Sequence, residues 1–179
     1  TTVSLPASLA ETFPGCGGAG PQDGRAAIKI FVSYELKTGK LAALVFAPGR
    51  ASDVAIAREH APALPKGALR IRDLGFFDRA DLREASEAGI SWISRVPAGL
   101  TVREDLEETA EEIGTFLAAL PKETTSIDRR IHLGKDHGRG EPLRCRLLAV
   151  RCPPAVAAER RRRLKQKLRR NGKTPTTRR

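Results

Sequence analysis

The chain has 179 residues, 40% hydrophobic and 30% charged, enough for one packed domain and an appendage. Its net charge of +11 is confined: residues 151–179 hold 12 of the 32 Lys and Arg against one acid, Glu159, while residues 1–150 balance at zero. No apolar run nears the roughly 20 residues that cross a bilayer, and residues 1–9 lack a secretory signal's basic start and apolar centre, which points away from membrane and secreted classes.

In chain order, residues 1–5 read as the end of a strand. Residues 13–24, with five glycines and two prolines, read as a connector. They lack the strand–loop–helix context and the GK[ST] ending of a phosphate cradle. Residues 26–35 and 41–46 are apolar enough for two strands joined by Lys37-Thr-Gly-Lys40, where Gly39 takes positive φ. Ser52 caps a helix over 53–61 that Pro62 and Pro65 close.

Leu69 and Ile71 alternate with Arg70 and Arg72, the period of a half-buried strand. Asp73 ends it, and Gly75 allows a sharp departure before Asp78 caps a helix over 79–88 that stops at Gly89. Residues 90–95 form another strand. Three strands, helix, strand, helix, strand describe a ribonuclease-H-like mixed sheet, in which the first and fourth strands lie side by side. Acids at strand ends are usual metal-ligand donors in α/β enzymes, although an Asp there also serves simply to cap a turn.

Beyond Arg95, the acids Glu104, Asp105, Glu107, Glu108, Glu111 and Glu112 read as the solvated face of a helix. Leu106, Ile113, Phe116, Leu117 and Leu120 form its apolar stripe. Residues 126–133 and 143–151 read as strands around a loop at 134–140. Pro153 and Pro154 break the chain before a basic helix over 155–170. The predicted class is α/β: a ribonuclease-H-like mixed sheet with flanking helices over 1–97, a partial β-rich and helical insertion over 98–154, and a basic C-terminal helix and tail over 155–179.

Cys16, Cys145 and Cys152 are too few and too irregular for a disulfide framework or a zinc site, so a reducing cytoplasm is the expected compartment. His60, His132 and His137 show no ligand spacing and read as structural or surface residues. The chain holds no Met, so it is expected to be cut from something larger.

The chain resembles DDE-type insertion-sequence transposases of the subgroup with a β-rich insertion. The resemblance rests on Thr1-Thr-Val-Ser-Leu-Pro6, Ala27-Ile-Lys29, Gly49-Arg-Ala-Ser-Asp53, Arg72-Asp-Leu-Gly-Phe-Phe77 and Ile93-Ser-Arg95. It implies that Asp73 is the second catalytic Asp and a metal ligand, and that Arg95 faces DNA. The family's first Asp would fall just before Thr1 and its final Glu beyond Arg179, so the chain by itself is expected to be inactive.

The reaction implied is phosphodiester hydrolysis followed by attack of the freed 3′-hydroxyl on target DNA. Mg²⁺ (or Mn²⁺) is expected only with the complete acidic triad, since two ions about 4 Å apart need several carboxylates. The resemblance also implies a homodimer in the full-length protein and a place at the nucleoid.

Arg160, Arg161, Arg162, Arg163, Lys165, Lys167, Arg169 and Arg170 are the expected DNA-phosphate contacts, for element ends and target alike. Leu164 and Leu168 make too thin an apolar face for a membrane helix. A ribonuclease-H-like nuclease and a non-catalytic DNA-binding remnant stay open as other readings.

Overall fold

The computed structural model describes residues 1–15, 25–134 and 142–170, the side chains of Lys167 and Arg170 excepted. Most of the expected connector with Cys16, most of the loop expected at 134–140 with His137, and the tail from 171 lie outside the described residues. The chain forms two compact units, Thr1–Ala98 and Gly99–Arg179.

The first unit runs β1 (Thr2–Leu5), β2 (Ala26–Glu35), β3 (Lys40–Pro48), α1 (Asp53–His60), β4 (Leu69–Arg72), α2 (Arg79–Glu87) and β5 (Ser91–Ser94), the expected order. The local signals act as read. Gly39 and Gly89 both take φ of 72°, the left-handed value a side chain disfavours. Ser52 Oγ accepts the Ala55 N–H at 3.4 Å and Asp78 Oδ1 the Ala80 N–H at 2.9 Å, satisfying donors that helices α1 and α2 leave free at their starts.

β2 pairs antiparallel with β1 and β3, with a bulge at Ser33/Tyr34, and α1 covers one face. There Phe31, Ile56 and Ala57 are buried among Ala43, Val45, Ala47, Ala51, Ala61 and Phe76. Phe31 and Phe76 meet edge-on with centroids 5.9 Å apart, which adds about 1 kcal/mol to their burial.

Two expectations change. The strands form two sheets, β1-β2-β3 and a parallel pair β4-β5, and among the described residues no ladder joins β1 to β4. β1 spans only four residues against ten in β2, so its pairing stops at the Thr1 backbone, which bonds to Ile30. In β4 the half-buried pattern is inverted. Leu69 and Ile71 are 56% and 55% exposed, whereas the Arg70 and Arg72 side chains are 14% and 15% exposed. The cause is Asp81 on α2, whose carboxylate draws both guanidinium groups inward.

The second unit holds β6 (Thr101–Arg103), β7 (Glu111–Glu112), α3 (Ile113–Ala119), β8 (Ser126–Leu133), β9 (Leu143–Val150) and α4 (Pro154–Arg170). Its antiparallel sheet has the order β7-β6-β8-β9. Val102, Ile113, Ile131, Leu133, Leu143 and Leu147 are its buried apolar residues.

The single helix expected across 104–120 is not there. Residues 104–110 loop out, Glu111 pairs with Val102, and α3 begins only at Ile113, where the acids end. Like charges three and four residues apart disfavour a helix. Glu108 instead accepts the backbone N–H groups of Glu104 and Asp105, both at 3.3 Å, closing a turn. No helix among the described residues is long and apolar enough to cross a membrane.

Candidate catalytic and nucleic-acid-binding site

Asp73 follows β4 directly and Arg95 follows β5. The parallel register pairs Arg72 with Ser94, so the next residues emerge side by side at the strand ends. Arg95 Nη1 donates to Asp73 Oδ1 at 3.2 Å, with the side chains 74% and 69% exposed. The Leu74 backbone N–H first, and the Arg95 guanidinium after it, hold the Asp73 carboxyl below its ordinary range. Asp73 therefore stays ionised throughout the neutral range. An ion pair this exposed is strongly screened and contributes little to stability.

Asp73 borders a cleft of about 480 Å³ that residues 31–34 of β2, residues 69–72 of β4, and Arg58, Leu64, Phe76 and Asp81 also line. Its carboxylate thus opens on a cleft rather than into a packed interior. Arg95, expected to face DNA, is paired with Asp73.

Several side chains fix the surroundings of Asp73. Lys29 Nζ contacts Asp53 Oδ1 at 3.0 Å and donates to the Ala51 carbonyl at 2.5 Å, holding the start of α1 against β2. Asp53 in turn backs the 3₁₀ turn Leu74–Phe76. A Cβ on Gly75 would lie 2.9 Å from Asp53 Oδ2, so a larger residue there would displace that carboxylate; the φ of Gly75 is not positive. Arg58 pairs with Asp78 at 3.1 Å, linking α1 to the start of α2.

Asp81, which lines the same cleft, receives Arg70 at 2.7 Å and Arg72 at 3.0 Å. Sequence reasoning missed this clamp. Its signal was present: two arginines on the strand face that the next helix must cover, and an Asp in that helix's first turn.

The described residues do not fit a divalent metal on their own. No group of three or more His, Cys, Asp or Glu side chains among them could hold an ion. The charged group placed on Asp73 is a guanidinium, a cation where a second carboxylate would be needed.

In the second unit, Pro154 starts α4, where a missing N–H costs nothing. Glu159 pairs with Arg162 at 2.8 Å and Arg163 at 2.7 Å, so these two are partly neutralised. Arg160, Arg161, Lys165 and Arg169 are exposed and have no carboxylate partner among the described residues. The side chains of Lys167 and Arg170 lie outside the described residues. Cations near a helix C-terminus are favoured by the helix dipole, so this density of charge is compatible with a stable helix.

The model of one protein family, described as the transposase DDE domain, matches residues 1–178. The transposase for insertion sequence element IS231D of Bacillus thuringiensis subsp. finitimus is 35% identical over 102 residues, 57% of this chain and 21% of that protein. The IS231C transposase of subsp. berliner is 34% identical over 102 residues, again 57% and 21%. The IS231E transposase of subsp. finitimus is 34% identical over 96 residues, 54% and 20%. The matched segment thus spans about a fifth of these relatives' length. No solved structure matches.

Proposed function

Because this chain belongs to the transposase DDE domain family, we propose that it serves DNA transposition, contributing one catalytic carboxylate, Asp73, and a DNA-phosphate-binding helix, α4. The observation that carries the first part is the placement of Asp73: ionised, exposed and at a strand end, on a cleft, beside an arginine. Asp73 would supply one oxygen ligand to Mg²⁺ or Mn²⁺, and other carboxylates would have to complete the site. Arg95 then has two uses, neutralising Asp73 when no ion is there and meeting a DNA phosphate when one is.

The two sheets are read here as parts of a ribonuclease-H-like mixed sheet. Supporting this, β3-β2-β1 and β4-β5 are the pieces left if such a sheet is divided between its first and fourth strands. β2 continues beyond the reach of β1, and its residues 31–34 border the same cleft as β4.

α4 supplies the partner reading. A run of unpaired cations on one helix neutralises phosphates and releases counterions, whatever the base sequence. DNA, at element ends and target, is the expected partner, and the nucleoid the expected location. The purified chain binds duplex DNA with an affinity that falls steeply as salt rises. With one carboxylate it does not nick supercoiled plasmid in Mg²⁺ or Mn²⁺. Salt-insensitive binding would remove the helix reading, and metal-dependent nicking would show that the chain already holds a working metal site.

A non-catalytic DNA-binding role is the second reading, favoured by the guanidinium that occupies Asp73. It predicts that Asp73 is dispensable for transposition.

A further inference from the structure

We propose that the outer face of the β8–β9 hairpin is a second surface for the phosphate backbone of duplex DNA, formed by Arg130, Arg144 and Arg146. It rests on the reading that this chain acts on DNA, but it uses residues separate from α4 and Asp73.

The register sets Arg130 directly opposite Arg146, and His132 directly opposite Arg144. Strand alternation puts these residues on one face, while Ile131, Leu133, Leu143 and Leu147 point the other way and are buried. Arg130, Arg144 and Arg146 are exposed. Asp128 is the one carboxylate bonded into the group, accepting from Arg146 Nε at 2.6 Å. Arg130 and Arg144 have no carboxylate partner among the described residues.

Like charges directly opposite across a ladder are destabilising. Arg130 and Arg146 are such a pair; Asp128 offsets Arg146, which leaves Arg130 and Arg144 as cations without a carboxylate partner among the described residues. A polyanion relieves that repulsion. Guanidinium groups also suit phosphate, because their planar forks bond two oxygens at once. Neighbours on one strand lie about 7 Å apart and cross-strand partners about 5 Å apart. The charges thus spread along the face of the ladder, which fits a run of phosphates better than a lone anion.

The test is fluorescence anisotropy with the full 179-residue chain and a fluorescein-labelled duplex of arbitrary sequence, from about 50 to 200 mM salt. R130A/R144A is expected to weaken binding about tenfold at the lowest salt. It should also flatten the dependence of log K on log salt by about two. Its melting temperature should hold, since neither side chain has a carboxylate partner among the described residues; a merely structural pair would lower it.

R129A is the control. Arg129 lies on the opposite face, paired with Glu104 at 3.4 Å, and its loss should leave affinity nearly unchanged. The proposal is overturned if R130A/R144A binds like the parent. It is equally overturned if R129A weakens binding as much per charge removed, which would mark a diffuse effect of net charge. In both cases parental binding that depends on α4 leaves the DNA reading standing. No binding by the parent chain would bring down both.

Discussion

Replacing Asp81 with Ala lowers the stability of the first unit by about 3 kcal/mol or more, read as a fall in the urea midpoint. Asp81 is 9% exposed and accepts from Arg70 Nη1, at 3.2 Å, and Nη2, at 2.7 Å, and from Arg72 Nη1, at 3.0 Å. Arg70 Nε is already buried without a partner. Removing the carboxylate leaves two adjacent guanidinium groups facing each other in a poorly solvated layer. Burial, and after it the charge of Arg70, already pushes the Arg72 guanidinium below its ordinary value.

The two side chains can relieve their repulsion by turning out to solvent, which gives up their bonds to the first turn of α2. D81N should lose less, because its amide oxygen still accepts one bond. A loss below about 0.5 kcal/mol in D81A would mean that water already solvates the cluster. Because Asp73 is the next residue after Arg72, loosening this clamp also frees the end of the strand that carries it.

Deleting residues 155–179 reduces affinity for duplex DNA about a hundredfold or more at low salt. That segment carries +10 of the net charge of +11, so what remains is nearly neutral. Charge alone would predict the same for any removal of cations. K165E/R169E therefore serves as the sharper variant, since both residues are exposed on α4 and neither has a carboxylate partner among the described residues. It should bind several-fold more weakly and with a shallower salt dependence, while helix content by circular dichroism is retained. Unchanged binding in both variants would move the DNA contact off α4 altogether.

Much of this was legible from local signals. Ser52, Asp78, Gly39 and Gly89 mark ends and turns through their own backbone chemistry, and each element they bound in the first unit is present. That Asp73 and Arg95 each follow a strand was legible; that they touch was not, and only the parallel register of β4 and β5 makes it a contact. What stayed hidden depended on partners distant in sequence. The covered face of β4 was read as Leu69 and Ile71, because a hydrophobic pattern cannot show that Asp81 will lie over the arginines instead.

The acidic run at 104–112 misled for a different reason. Its spacing suits a helical face, but six carboxylates within nine residues repel along a helix, and Glu108 does better closing a turn. The glycine at position 75 was expected to allow a sharp departure; its φ is not positive, and its near neighbour is the Asp53 carboxylate, more than 20 residues away in the chain. The basic face of β8–β9 becomes a surface only once the register sets Arg130 opposite Arg146, with Arg144 two residues before Arg146 on the same face.

The role of Asp73 is tested most directly by excision of an insertion element whose transposase carries this chain, comparing the parent with D73N. The variant keeps the size of the side chain and removes the charge. Excision should fall to background with protein levels unchanged. Excision by D73N at the parental rate would show that the carboxylate takes no part in the chemistry.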